Sequence, residues 1–477
     1  MKTMTARAAP DPQAPPISGL SGLPGSCETP GVRRRRRERG FTLMELSVSL
    51  LVIVEVILGA LMIFDFNSKL ARVQEQITDM QQSLRAGQYE MVRMVRMAGR
   101  GGLRSTSPAR VYPKGSAVEV RNNVGIGSPA PPDDVAVGYA SSPRAVDGTD
   151  ILTVRGVFTA PIYQVNSAQA ASFTLFDATN NPTTNPAVAV RGVAQVCNLA
   201  PSGVNQTLTP LTTAITAAVP EALLIVSPLD DSVSAVVELD AANSTTVPAV
   251  STLCPTTGKA IQIGFKVVGG TYTASYQKLS NVSVDGAGNP TQNLPPALTS
   301  ALFLGVLEEY RYYVRQNYAV PGNTASAPMP RLSRARMFPG TEVPYLADVN
   351  NAQVDIADNV MDLQIALGLD LNGDGVIAED TPPTATDEWL YNSSADLATD
   401  PRWLTVAGSA PARQPRMFYV RITQLVRTDR RDFQYAAPVL TNIEDHTYPA
   451  SPAGDNSPQN RMFRRRLLQT VVDLRNL

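Results

Sequence analysis

The stretch from Phe41 to Phe64, FTLMELSVSLLVIVEVILGALMIF, leaves this chain few choices of environment, being apolar but for Glu45, Glu55 and scattered Thr and Ser. As a helix it rises about 36 Å, enough to cross a bilayer core about 30 Å thick. Arg33 to Arg37 and Arg39 stand just before it. Such residues stay on the cytoplasmic side of a membrane helix, which leaves the body of the chain outside. The charge distribution agrees: residues 1–40 carry eight basic and three acidic residues, the remainder 33 and 39. A cationic head on a mildly acidic body is the pattern of a targeted, exported chain, not of a nucleic-acid-binding protein.

Residues 10–32 are rich in Pro, Gly and Ser without apolar period and read as disordered. Cys27 follows no apolar run, which rejects a lipoprotein signal. An ordinary signal peptide is cut after its apolar run at a small-residue site, and no A-x-A pattern follows this one. The better place for cleavage lies before the run, between Gly40 and Phe41, where glycine lets a protease approach the backbone closely. Glu45 is the oddity, because a carboxylate in a membrane helix costs about 2.5–3.5 kcal/mol unless paired. Cleavage would free the amino group of Phe41, and a neighbouring subunit's amino terminus would then supply the opposite charge. The alternative is a carboxylate tolerated near the interface.

A basic block, then GFTLMEL, then a long apolar helix resembles the class III signal of type IV pilins and type II secretion pseudopilins. The resemblance implies that a prepilin peptidase cuts after Gly40 and methylates Phe41, with Glu45 as the assembly carboxylate. Two features depart from the pattern: a leader of 40 residues is long, and Glu55 adds a second acid about 80° around the helix from Glu45. Farther on, RMVRMAGRGGL (93–103) resembles the close of this helix in PilW-type minor pilins, and YRYYVR (310–315), DLQIALGLD (362–370) and RRRLLQTVVDLRN (464–476) resemble their C-terminal half. The likeness covers residues 38–105 and 302–477; no motif covers the middle.

No proline occurs between Phe41 and Ser107, so one helix can continue past the membrane. Leu70, Val73, Ile77, Met80 and Leu84, followed by Met91, Met94 and Val95, form one apolar stripe. The stripe is expected to pack on the protein's own sheet, a coiled coil being the other reading. Glycines in 99-GRGG-102 should end the helix.

Within residues 106–300, strand-like runs at 151–158, 173–176, 187–196, 222–226 and 260–268 alternate with turn clusters, a β-rich elaboration. Cys197 and Cys254 are the two cysteines left once Cys27 is removed, and in an exported chain such a pair favours a disulfide over two buried thiols. From Leu302 the strand signals strengthen: 304–315, then Met361 to Leu369 and Phe418 to Ile422 with period two, then 463–477. Four antiparallel strands with one apolar face need a cover, which the helix stripe supplies. The expected fold is therefore α+β and pilin-like, a long N-terminal α-helix on an antiparallel sheet with a large β-rich insert. Its divisions are a cleaved leader (1–40), a transmembrane part (41–64), an amphipathic part (65–105), the insert (106–300) and the C-terminal sheet (301–477).

Among candidate ligand sites, 370-DLNGDGVIAED-380 places Asp370, Asn372 and Asp374 at alternate positions, with Gly375 for a sharp turn and the Val376 carbonyl next. These are the first five places of an EF-hand-type calcium loop. Its twelfth position is Thr381, not Glu, so Glu379 or Asp380 would have to close it; the alternative is an Asx-rich turn without metal. Late arginines (331, 334, 336; 427, 430, 431; 461, 464, 465, 466) read as solvated strand faces, since the acidic body opposes nonspecific DNA binding. His446 is the one histidine. That excludes a Cys/His zinc site of usual stoichiometry, and no nucleophile–base pair or cofactor motif is visible. Neither an enzyme nor a required cofactor is expected; Ca2+ is the one ligand considered.

The resemblance implies a minor pilin of the PilW type that helps prime type IV pilus assembly, sits at the tip, and supports adhesion and twitching motility. Its partners would be other minor pilins, the major pilin, prepilin peptidase, the assembly platform and a tip adhesin. It would lie single-pass in the bacterial inner membrane, body in the periplasm, and on the pilus after assembly. Two rivals remain: a minor pseudopilin of type II secretion, and a membrane-anchored adhesin that never assembles.

Overall fold

The computed structural model describes residues 42–103, 117–124, 146–165, 173–200, 202–217, 221–227, 234–254, 258–267, 294, 303–315, 329–338, 341–342, 353–378, 387–394, 396, 415–450 and 452–474. Gly40 and Phe41 lie outside them. The chain divides into two compact units, Met1–Ser68 and Lys69–Leu477.

In the first unit the described residues belong to the helix Leu43–Met97, whose apolar window is wholly exposed. By length and composition it is able to cross a membrane. The same helix runs on into the second unit, where its stripe becomes buried only from Met80: Met80, Leu84, Gly87, Met91, Met94 and Val95 are covered. Val73 and Ile77 are half-buried, and Leu70 is exposed, so the stripe read from sequence is longer than the surface that covers it. The helix ends at Met97, followed by Gly99, Gly101 and Gly102, all at positive φ.

Among the described residues the second unit holds two large antiparallel sheets and a two-stranded one, Asn442–Ile443 with His446–Thr447. The larger is organised around the strand Phe303–Arg315, which is flanked by Thr149–Gly156 and, along successive parts of its length, by Ala222–Val226 and Arg331–Phe338. From Ala222–Val226 the sheet continues through Ser234–Asp240, Lys259–Lys266 and Arg191–Cys197. The smaller sheet has the order Trp389–Leu390, Val360–Asp370, Arg416–Arg427, Arg465–Asp473. The fold is α+β with the expected helix and strands, but the four late strands are shared between two sheets. Tyr310 pairs with Val154 and Leu304 with Ile225, so strands of the 106–300 region continue the 303–315 strand directly. Alternation in sequence reports which face of a strand is buried but not which neighbour it chooses.

One hydrophobic cluster joins helix and both sheets, from Met80 and Met94 through Leu332, Ile365 and Ile422 to Val472. At Gly87 the helix comes close to both sheets. A β-carbon there would lie 2.9 Å from Leu332 Cδ2, of the larger sheet, and 3.2 Å from Gln424 Oε1, of the smaller. The polar side of the contact is also paired: Gln88 Nε2 donates to Thr470 Oγ1, Arg334 forms an ion pair with Glu90, and the Asp358 amide donates to Ser83 Oγ at 3.3 Å.

Candidate functional site

At the head of the helix, Thr42 and Glu45 form a reciprocal cap. The Thr42 amide and hydroxyl each donate to Glu45 Oε2 at 3.1 Å, and the Glu45 amide donates to Thr42 Oγ1 at 3.3 Å. This is a capping box, which satisfies first-turn amides that no helical carbonyl can reach. The Thr-x-x-Glu spacing was present in the sequence and carries this second role for Glu45. Such amides are costly to leave unpaired in apolar surroundings, so the carboxylate has a use within its own helical turn. Ser47 and Ser49 return their hydroxyls to the carbonyls of Leu43 and Glu45, at 2.9 and 2.8 Å. Glu55 lies ten residues farther along the exposed helix.

Cys197 and Cys254 form the expected disulfide, with Cα atoms 5.6 Å apart. It ties the end of the Arg191–Cys197 strand to the turn before Lys259–Lys266 and packs with Ala260.

The 370–378 loop closes by Asx turns. Asp370 accepts from the amides of Gly373 (2.6 Å) and Gly375 (3.2 Å), Asn372 Oδ1 from Asp374 N (2.8 Å), and Asp374 Oδ1 from Val376 N (2.7 Å). Gly373 and Gly375 have positive φ, as so sharp a turn requires. Buried Glu388 staples the loop from within: Oε1 accepts from Leu371 N at 2.9 Å and Oε2 from Ala378 N at 2.8 Å. No local motif announced that role for Glu388. Among the described residues no group of three or more His, Cys, Asp or Glu is arranged to hold a metal ion. Glu379, Asp380 and Thr381, one of which a calcium ion would need, lie outside the described residues.

Arg430, Arg431 and Arg466 are exposed, as expected of solvated faces, but other late arginines are not. Arg336 is buried against Glu221 at 2.6 Å, Arg427 is buried over the Phe463 ring, and Arg331 pairs with Asp355 and Asp358, each at 2.9 Å. Arg464 reaches Asp432 at 2.8 Å, which holds that carboxyl below the usual range. Arg72, Arg331, Arg427 and Arg431 line a cleft of about 620 Å³ together with Glu75, Asp79 and Asp358. Its walls mix both signs of charge.

A buried acidic cluster joins the two sheets. Asp150 accepts from Asn123 N (2.9 Å) in the larger sheet and from Ile365 N (2.7 Å) in the smaller. It reaches Ile365 because Trp389–Leu390 is too short to cover that part of the 360–370 strand. Nearby, Asp362 accepts from Tyr448 Oη and lies 2.9 Å from His446 Nδ1, while Asp445 accepts from Asn122 and Asn123 side chains. The short hairpin 442–447 is thereby latched over the smaller sheet. Glu444 adds a bond to Arg421 at 2.7 Å.

Burial, helped by the charge of Asp445, raises Asp150 well above the usual 3.8, and burial pushes Asp445 up to about 6. Burial opposes charge on His446, but the hydrogen bond and charge of Asp362 outweigh it and raise the imidazole above its ordinary value. All three groups bind their protons more tightly folded than unfolded, so stability falls as pH rises. The Asp445 contribution declines from about pH 4 to 6, and that of His446 above about 6.5. Thermal unfolding of the detergent-solubilised chain should therefore show a higher midpoint at pH 5 than at pH 8. Asp445→Asn should flatten the lower limb and His446→Gln the upper one; an unchanged slope in both variants would show that the cluster does not titrate.

Residues 311–476 match PilW, the family described as type IV pilus-assembly protein W. The match begins within the 303–315 strand and takes in Leu332, Gln424 and Thr470, which meet the helix at Gly87 and Gln88. No curated protein and no solved structure matches the chain. Residues 311–476 thus carry the signature of the PilW family of type IV pilus-assembly proteins, on a chain whose N-terminal helix is long and apolar enough to cross a membrane.

Proposed function

We propose that the chain is a minor pilin, cleaved between Gly40 and Phe41 and held by residues 41–64 in the inner membrane with its body in the periplasm. There it joins other minor pilins to prime the type IV pilus, and it stays at the tip, supporting adhesion and twitching. The carrying observation is that an exposed apolar helix headed by Thr42 and Glu45 lies on the same chain as the PilW match. Two broad sheets favour the tip, because a body of that size is hard to repeat along a thin shaft. The match to a pilus-assembly family favours the pilus over type II secretion. Calcium in the 370–376 loop, if bound, would stiffen that loop outside the cell.

Glu45 provides the test, because its two roles separate by substitution. Glutamine at this position retains a capping box but has no charge; alanine has neither. If the carboxylate pairs with a neighbour's amino terminus, Glu45→Gln and Glu45→Ala should both abolish surface pili, while mass spectrometry still finds N-methyl-phenylalanine at Phe41. Normal piliation in Glu45→Gln would reduce Glu45 to a cap. An intact leader in piliated cells would overturn the processing.

A further inference from the structure

Beyond residue 40 the chain is acidic, with 33 basic and 39 acidic residues, but the charge is unevenly spread. Residues 427–432 and 461–466 together hold seven arginines and two aspartates. The fold brings these two runs side by side at one end of the smaller sheet. Arg427 faces Arg465 in the ladder, Thr428 N donates to the Arg464 carbonyl at 2.9 Å, and Asp432 N donates to the Met462 carbonyl at 2.8 Å. The Phe463 ring carries the guanidinium groups of both Arg427 and Arg431, 4.3 and 5.5 Å from its centroid.

Several of these charges are used within the chain. Arg464 pairs with Asp432 at 2.8 Å, Arg430 lies 3.7 Å from Asp429, and Arg465 donates to the carbonyls of Asp455 and Asn460. Arg430, Arg431 and Arg466 nevertheless stand exposed. Phe433, in the same loop as Arg430 and Arg431, is 80% exposed. A large apolar ring among solvated cations is the composition of segments that rest in the headgroup region of a bilayer.

The helix fixes where this end of the sheet stands along the chain. Residues 427–431 line the 620 Å³ cleft with Arg72, Glu75, Gln76 and Asp79 of the helix. Within it Glu75, Asp79 and Asp358 balance part of the charge; the excess lies at 461–466, where no acid interrupts the arginines. Arg72 follows Phe64 by eight helical residues, about 12 Å of rise. Headgroups extend about 5–7 Å past the hydrocarbon core, and an exposed charge acts over about 8 Å more. Together these exceed the rise. Connectivity alone therefore keeps the arginine end within electrostatic reach of the surface from which residues 41–64 would emerge.

We propose that the arginine-rich end of the smaller sheet, with Phe433 beside Arg430 and Arg431, docks on anionic phospholipid headgroups of the membrane that holds the helix. Guanidinium groups bind phosphate oxygens by paired hydrogen bonds, and the Phe433 ring enters the interface. The docking rests on the reading of residues 41–64 as the membrane segment. It would hold the body on the leaflet until the chain is drawn into a pilus.

Fluorescence quenching of the full chain in lipid nanodiscs, with a quencher carried by the lipid, separates the two readings. On a Cys27→Ser background Cys197 and Cys254 are joined to each other, so an added cysteine takes the dye. The positions are Gln434→Cys beside Phe433, Met62→Cys in the apolar segment and Ala242→Cys, exposed after the Ser234–Asp240 strand. The dye at 62 should be quenched in phosphatidylcholine discs with or without phosphatidylglycerol, and the dye at 242 in neither. The dye at 434 should be quenched strongly only where phosphatidylglycerol is present. Arg430→Gln and Arg431→Gln should each lower its ratio of docked to undocked chain about fivefold. Inorganic phosphate at matched ionic strength should leave that ratio unchanged. An unquenched dye at 62 would remove the membrane reading itself. With 62 quenched, the docking is overturned by an unquenched dye at 434, by equal quenching in both lipids, by indifference to the arginine variants, or by release with inorganic phosphate.

Discussion

Replacement of Arg155 by alanine is expected to destabilise the folded chain by about 3–5 kcal/mol, the range for removing one partner of a buried ion pair. Arg155 lies on the Thr149–Gly156 strand and is buried. Its Nε reaches Glu309 at 2.6 Å and its Nη1 reaches Glu119 at 2.7 Å, on the two strands that flank it. The cation thus holds three neighbouring strands through their side chains as well as through their ladders. Without it two carboxylates would be left with little water and without their close cation, Arg311 lying 3.6 Å from Glu309. Urea unfolding of the purified chain in detergent, followed by tryptophan fluorescence, reads the loss; urea is chosen because guanidinium would screen the charges. Arg155→Ala combined with Glu309→Gln should recover part of it, because the buried charge is then gone. A loss below about 1 kcal/mol in the single variant would show that the carboxylates reach water by local opening.

Loss of the Cys197–Cys254 bridge is the second large effect expected. The two cysteines are 57 residues apart, and closing a loop of that length corresponds to about 4 kcal/mol in the chain-entropy account. The bridge packs with Ala260 in a small cluster of its own, apart from the core that joins the helix to both sheets. The double variant Cys197→Ala/Cys254→Ala should therefore expose the far part of the larger sheet first. Limited proteolysis should cut near 234–254 before the helix face is lost, and the urea midpoint should fall. Identical digestion patterns with and without the bridge would contradict this.

Much of the site was written locally. Glu45 and Thr42 are three residues apart, so their cap is a property of one helical turn, and Asp370, Asn372 and Asp374 fold back on amides within five residues. Both are sequence-near interactions whose geometry the backbone enforces. Glu388, Asp150 and His446 were not legible in the same way. Glu388 acts 10 to 17 residues away, Asp150 bonds an amide 215 residues on, and His446 meets Asp362 across 84 residues. A buried carboxylate looks like any surface carboxylate in sequence; only its burial separates them. The arginines show the reverse case. A charged run implies solvent by default, yet Arg336 and Arg427 are buried because Glu221 and the Phe463 ring lie across from them.

The sequence by itself determined the elements with a strong period or a strong composition: the apolar helix from Leu43, its termination at the glycines after Met97, the late alternating strands and the cysteine pair. Each follows from forces acting between residues a few positions apart, or from a count. Tertiary structure alone decided which strands share a sheet, where along its stripe the helix becomes buried, and which strand is left at an edge. Those outcomes depend on pairing between distant segments, where many registers bury similar apolar surface and the choice falls to buried partners such as Arg155 with Glu309 and Asp150 with Ile365.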